Sequence, residues 1–552
     1  MQRTEHGSAQ LIDHASLIGS EFEEEGGIPL GHHFGKPNQA EMLNYHGDRH
    51  IFTCASNRSG KGVSAIIPTL LDYQGGIICI DPKGENAKIT AIERAFGMGQ
   101  NVQVLDPWNI AMPFLTEEMG KEKEEASQNG TLQRASFNPL DMLTPDSPDL
   151  VDDAMMVCDT IIMETGGDTH WSTEAKAAMQ TFVLHVVTSP IEEGHRHLGR
   201  VRELISLPPA ELGKLIQVEM AQNGVPVVRN GANRLLQKSE KELQSVFSTV
   251  SANTHFLDSS AIQDAIQEST FDFADLKDED TPLTVYLVLP SERLQTHGRW
   301  LRMLISMALT AVIRRPGKPK KSALFILDEL AALGRLSMVE QAFGLMAGYG
   351  MRIWAIFQDI SQLQDLYQKR WQTFISNAGV VQVFGVSDVN TAQYISQMMG
   401  KTTMEFISED TQKRRSGAYL FSAAKPDYTS MTDRQFSRDL LTPDEIMRME
   451  PGRQLLLFSG MQPIYAGKLP YYQNSRYYFS DGAELTEPRF TQLPEHPVYE
   501  GDIIAVDRFT RARGTGKPPV VGAAPQPPSG ANSWGGYLVI ALVVAVMFYL
   551  SL

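Results

Sequence analysis

Downstream of a polar N-terminal stretch, short apolar runs alternate with segments of helical period. Residues 51–55 (IFTCA) form an apolar run that ends in a polar, glycine-containing loop, and residues 63–71 continue as a helix interrupted early by Pro68. Residues 76–80 (GIICI) read as a fully apolar strand, 86–96 as a helix, and 102–105 as a strand stopped by Asp106-Pro107. Wholly apolar strands alternating with helices predict an α/β fold with a parallel sheet covered on both faces.

The pattern changes near Leu143. From there to about Thr270 the text is helical, as in DDAMMVCDTIIM, STEAKAAMQTFVLHVV and KSEKELQSVFSTV. Strands return at 284–289 (TVYLVL), 323–327 (ALFIL), 352–357 (RIWAIF), 380–384 (VVQVF) and 454–458 (QLLLF). One α/β domain, 49–142 plus 281–475, is therefore expected to be split by an all-alpha domain over 143–280. Residues 1–48 read as a polar region without strong periodicity, and 402–438 as a mobile surface loop. A C-terminal extension (476–513), a Pro/Gly linker (514–533) and an apolar segment (534–552) complete the expected layout.

At 552 residues, two or three domains are the prior. The chain is 42% hydrophobic and 21% charged, the balance of a folded globular protein. Cys54, Cys79 and Cys158 have no CxxC spacing, which points to neither a disulfide framework nor a zinc site and fits a reducing compartment. A net charge of −16 argues against a broad external DNA-gripping face and leaves room for a narrow basic channel. No secretory signal is read at the N-terminus. Residues 534–552, WGGYLVIALVVAVMFYLSL, carry no charged side chain and come close to the roughly 20 residues needed to cross a bilayer. Trp534, Tyr537 and Tyr549 lie near the two ends of the segment, where aromatic rings favour the interface. Arg508, Arg511, Arg513 and Lys517 precede it and place that side in the cytoplasm.

Between the strand at 51–55 and the helix that follows lies Ala55-Ser56-Asn57-Arg58-Ser59-Gly60-Lys61-Gly62-Val63. A strand–loop–helix unit of this kind suits a phosphate. Backbone N–H groups point into the loop, the helix N-terminus adds partial positive charge, and Lys61 reaches the β- and γ-phosphates. The match to GxxxxGK[ST] is incomplete: Ala55 replaces the first glycine and Gly62 the magnesium-ligating hydroxyl. Ser64 is a weak candidate to complete the metal shell. The strand at 323–327 ends in Asp328-Glu329. Asp328 is expected to hold Mg²⁺ through water, and Glu329 to polarise the attacking water. Gln358 ends the strand RIWAIF, where a glutamine can sense the γ-phosphate. ATP and Mg²⁺ are the cofactors expected.

Together these residues resemble the type IV secretion coupling proteins. ASNRSGKGV departs from the general motif in the way that family's APTRSGKGV does. Asp81-Pro82-Lys83-Gly84-Glu85, VLDPW at 104–108, FNPL at 137–140 and LFILDELAALG at 324–334 continue the likeness, and Gln358 falls at the family's motif III glutamine. The resemblance covers roughly residues 26 to 470. It implies a RecA-like nucleotide-binding domain with an all-alpha domain that contacts cargo, a homo-hexamer with nucleotide between subunits, and ATP-driven delivery to a secretion channel. The implied substrate is single-stranded DNA with its relaxase, or protein effectors. The implied location is the cytoplasmic face of the bacterial inner membrane, here through a tail anchor at 534–552. Two departures stand out. The family's N-terminal membrane helices are not read in this chain. The place where some relatives carry an arginine finger, near Ala347-Gly348, has no arginine, while the neighbouring Arg335 and Arg352 read as surface or salt-bridge residues. The alternatives are a cytosolic DNA pump of the FtsK/HerA type and a substrate receptor with little ATP turnover.

Overall fold

The computed structural model describes residues 7–493 apart from 18–19, 37–38, 122–129, 164–168, 346, 412–428 and 482–483. In chain order the strands are β1 (Ile28–Lys36), β2 (Gln39–Tyr45), β3 (His50–Cys54), β4 (Ile77–Ile80), β5 (Asn101–Leu105), β6 (Thr131–Arg134), β7 (Leu283–Leu287) and β8 (Ala323–Leu327). They continue as β9 (Met351–Phe357), β10 (Ala378–Val383), β11 (Lys401–Thr411), β12 (Thr429–Asp439), β13 (Arg453–Phe458), β14 (Ile464–Gly467), β15 (Tyr478–Asp481) and β16 (Glu484–Pro488). One 12-stranded sheet runs in the order β2-β1-β14-β13-β10-β3-β9-β8-β4-β7-β5-β6. From β10 to β6 every pairing is parallel. The other four strands extend that sheet in antiparallel pairings.

Successive residues of a strand point to opposite faces. In β8, Ala323, Phe325 and Leu327 join one core with Phe52 and Cys54 of β3. Leu324 and Ile326 join the other with Ile51. Both faces are covered, which is why these strands read as unbroken apolar runs.

Between β6 and β7 every described element is helical. Helices Leu150–Ile161, Thr169–Thr188 and Glu240–Thr254 place Ala154, Phe182 and Val246 in the same core as Phe325. The helix Leu294–Arg314 ties this region to the sheet. Its Arg314 donates to Asp153 at 2.8 Å. Its buried Arg302 donates to the carbonyls of Leu333 and Arg335, each at 2.8 Å, and to that of Thr160 at 3.3 Å.

The motifs outside the phosphate loop fix turns. At the end of β4, Asp81 is buried and accepts from Ala87 N–H at 2.8 Å, so it holds the start of helix Glu85–Ile92. At the end of β5, buried Asp106 accepts from the N–H groups of Ile110, Ala111 and Met112, orphan donors at the start of helix Met112–Lys121. Asn138 of FNPL accepts from Leu140 N–H and donates to the Arg196 carbonyl at 2.7 Å, which anchors the entry to the helical region.

Two expectations are corrected. Residues 1–48 are more than a polar lead-in, because they contain β1 and β2, which extend the sheet. A buried ladder ties β1 to the rest of the sheet: Thr53 donates to Gln382 (2.9 Å), Gln382 to Gln454 (2.8 Å) and Gln454 to the Leu30 carbonyl (2.6 Å). Residues 402–438, expected as a surface loop, contain an antiparallel hairpin of β11 and β12 whose tip, 412–428, lies outside the described residues. Past residue 475 the chain still packs, with Tyr477, Phe490 and Leu493 against Ile67, Leu71 and Ile89. The linker at 514–533 and the apolar segment at 534–552 lie outside the described residues. Among the described residues no helix is long and apolar enough to cross a membrane.

Candidate active site

Strands β3, β9 and β8 are neighbours and parallel, so their carboxyl ends meet at one sheet edge, where α/β folds bind ligands. The loop after β3 carries Lys61, β9 leads to Gln358, and β8 leads to Asp328 and Glu329. Lys61 Nζ lies 2.6 Å from Asp328 Oδ1 and 2.9 Å from Glu329 Oε1. Gln358 Nε2 donates to Glu329 Oε2 at 3.0 Å, and Asn57 Nδ2 donates to Gln358 Oε1 at 3.4 Å. The four residues nominated as catalytic thus form one connected group, joined to the loop through Asn57.

The loop is held from both sides. Ala55 N–H donates to the Phe357 carbonyl at 2.8 Å, and Ser56 N–H to the Gly385 carbonyl at 3.2 Å. Arg58 (φ 60°) and Gly60 (φ 88°) take the left-handed conformation that bends the chain back, and Ser64 N–H closes onto the Gly60 carbonyl at 2.9 Å. A wide helical turn over Gly62–Ile66 then runs into helix Ile67–Asp72. Pro68 lacks the N–H that would bond four residues back, and the chain widens its turn there instead of breaking. Val63 packs against the apolar cluster that holds Ile67 and Leu71. Ser64 is buried beside Gly60, its hydroxyl 3.8 Å from where a Cβ on that glycine would stand.

Glu329 has φ 54°, a left-handed conformation that costs a non-glycine residue about 1 kcal/mol. Such outliers gather at functional sites. It turns the chain so that Asp328 and Glu329 both reach Lys61, while Glu329 N–H donates to Asp328 Oδ1 at 3.0 Å. Burial works against the charge on Lys61, but Asp328 and Glu329 outweigh it and hold the ammonium above its ordinary pKa. Burial raises the Asp328 carboxyl, and Lys61 offsets that only in part.

These groups fit a magnesium–nucleotide. The loop supplies a lysine, and Asp328 and Glu329 supply carboxylate oxygens within reach of it. Ser59 Oγ is buried with no protein partner, and a Cβ at Gly62 would meet nothing within 4 Å, so there is room beside the loop. Arg335 pairs with Glu340 at 3.0 Å, and buried Arg352 lies 5.4 Å from the Tyr45 ring centroid; both are engaged within the chain. Sequence reasoning missed Lys468, just past β14, whose Nζ donates to the Ser59 carbonyl at 3.0 Å. No motif surrounds it, so only the fold reveals it.

Known proteins share this fold. The chain is 27% identical over 483 residues to the conjugal transfer protein TraG of Escherichia coli, covering 81% of this chain and 71% of that one. Its fold matches the unbound, N-terminally shortened form of the bacterial conjugative coupling protein TrwB with a TM-score of 0.58 at 15% identity, over 84% of this chain and 93% of that one. TrwB in complex with ADP and Mg²⁺ matches with a TM-score of 0.55 at 14% identity, over 84% and 94%. The family model for type IV secretory system conjugative DNA transfer matches residues 8–114 and 128–495, and with the phosphate loop, paired acids and parallel sheet in place the chain belongs to that family.

Proposed function

We propose that this chain is the ATP-hydrolysing coupling protein of a conjugative DNA transfer system, using nucleotide turnover to bring substrate to a type IV secretion channel. The observation that carries the reading is the Lys61 ammonium held within 3 Å of both Asp328 and Glu329 at the end of the phosphate loop. The enzyme is a P-loop ATPase with ATP and Mg²⁺ as cofactors, in keeping with the complex of TrwB with ADP and Mg²⁺.

In this reading Lys61 and the loop N–H groups hold the β- and γ-phosphate oxygens. Mg²⁺, when bound, would supply charge neutralisation at the phosphates. Asp328 would hold the ion through water. Glu329 orients the attacking water and takes its proton, and Gln358, bonded to that carboxylate, relays the change to the end of β9. Phosphoryl transfer asks for positioning and charge stabilisation, and these residues supply both.

Further parts of the reading rest on the resemblance. The helical region at 143–280 acts as a domain that meets cargo, and Arg302, which bonds to both Thr160 and the turn after Glu329, supports a link from nucleotide to cargo. Six copies form a ring. The apolar segment at 534–552 anchors the chain to the inner membrane, with the globular part in the cytoplasm; its length and lack of charge support this.

The test is ATP hydrolysis by the purified chain with and without single-stranded DNA. Magnesium-dependent turnover, raised by single-stranded DNA and absent in Lys61→Ala, is expected. Turnover in Lys61→Ala equal to that of the unaltered chain would refute the reading.

A further inference from the structure

We propose that Lys468 is a positioning residue for the phosphate loop, clamping the Ser59–Gly60 peptide from behind and placing a second fixed positive charge against the loop. The inference rests on the reading of residues 55–63 as a phosphate loop.

Lys468 follows β14, in the antiparallel part of the sheet, and its own N–H is fixed on the Gly452 carbonyl at 2.8 Å. Only 8% of the residue is exposed. Its Nζ donates to the Ser59 carbonyl at 3.0 Å and sits 4.7 Å from the centroid of the Phe384 ring. The backbone that carries this ring is tied to the end of β3 and to the loop. Phe384 N–H donates to the Cys54 carbonyl at 2.9 Å, and the Gly385 carbonyl accepts from Ser56 N–H at 3.2 Å. Lysine, ring and loop therefore form one unit.

Two physical consequences follow. A peptide is planar and trans, so its C=O and N–H point in opposite directions. With the Ser59 carbonyl pinned toward Lys468, the Gly60 N–H faces the other side of the loop, where a phosphate oxygen would be met. The bond is also charge-assisted and polarises that N–H further.

The second consequence is energetic. Among the described residues Lys468 has no carboxylate within ion-pair distance. A buried ammonium held by one carbonyl and one ring is costly to the fold unless an anion compensates it. Burial alone draws its pKa down to about 8, which leaves it mostly charged at neutral pH. Beside a loop built for a triphosphate, the compensating anion is the nucleotide.

The experiment uses the full chain with Lys468→Gln, Lys468→Arg and, as a control for the loop itself, Lys61→Ala. Steady-state ATP hydrolysis gives KM and kcat, and titration with a fluorescent ATP analogue gives Kd. Lys468→Gln keeps a donor for the Ser59 carbonyl and removes the charge. It is expected to raise Kd and KM about tenfold, the equivalent of one charge-assisted contact, with kcat within about threefold. Lys468→Arg is expected to recover most of the affinity. Unaltered Kd in Lys468→Gln overturns the proposal. So does a parallel fall of kcat, affinity and melting temperature in both variants, which marks a purely structural lysine. Normal hydrolysis in Lys61→Ala would remove the phosphate-loop reading, and that result is separate from any outcome at Lys468.

Discussion

Gln358 and Glu329 share a hydrogen bond across two neighbouring strand ends: Nε2 of the glutamine donates to Oε2 of the carboxylate at 3.0 Å, while Oε1 lies 2.9 Å from the Lys61 ammonium. Each oxygen of Glu329 is therefore oriented by a different strand's end. One carboxylate thus joins Lys61 to Gln358. Gln358→Ala removes the orienting bond without removing the acid. It is expected to lower kcat about tenfold, below the roughly 10²-fold typical of losing a transition-state donor outright, with KM changed less than threefold. A rise in KM at constant kcat would instead make Gln358 a binding residue.

Lys61 and Glu329 should separate in their effects. Lys61→Ala removes the phosphate-facing charge and is expected to lower kcat/KM by at least about 10²-fold, with loss of nucleotide binding. Glu329→Gln keeps the shape and, at Oε1, a group near Lys61, but loses the proton acceptor. It is expected to bind ATP normally and turn it over about 10²-fold more slowly. Single-turnover assays with binding measured in parallel check the split; weak ATP binding by Glu329→Gln would place the acid in binding rather than in water activation.

Much of this site was legible because each part is local. A strand ending in a loop with Gly60-Lys61, a strand ending in Asp328-Glu329 and a strand ending in Gln358 are all short patterns, and parallel pairing brings their ends together. Lys468 was not legible because its partner, Ser59, is 409 residues away. Strands β1 and β2 escaped notice for a related reason. Their place in the sheet is fixed from far along the chain, by Gln382 and Gln454, whose side chains reach the Leu30 carbonyl across 352 and 424 residues. The hairpin of β11 and β12 was hidden because polar strands lack the buried-face alternation by which a strand is recognised.

Arg94 carries a prediction about stability. It is fully buried and donates to the carbonyls of Leu70, Tyr73 and Gly75, to Gln100 Oε1 and to Thr284 Oγ1. It thereby ties the end of the helix after the phosphate loop to β7. Burial lowers its pKa to about 10, so it remains charged at neutral pH. Arg94→Met strands several buried acceptors, each costing about 1–3 kcal/mol, and relieves the desolvation of one guanidinium. The acceptors outnumber the relieved charge, so a net loss of about 3 kcal/mol is expected. Thermal unfolding should start several degrees lower, and an unchanged midpoint would mean that water or repacking satisfies those carbonyls.

Asp81 gives the pH dependence a definite sign. Its carboxyl is buried at the end of β4, and burial raises its pKa from 3.8 to about 7, against the lowering effect of the Ala87 and Asn86 N–H groups. Folding therefore favours the protonated form. Below the unfolded pKa the carboxyl is protonated in both states and its contribution to stability is complete. As pH rises, the unfolded chain releases this proton first, and the contribution is lost progressively until pH passes the folded pKa near 7. About three pKa units set an upper limit of roughly 4 kcal/mol on the change. Asp81→Asn keeps an acceptor for Ala87 N–H and removes the ionisation. The melting temperature of Asp81→Asn relative to the unaltered chain should therefore climb between pH 5.5 and 7.5 and then level off. Parallel curves across that range would mean that the turn's N–H groups keep this carboxylate ionised despite its burial.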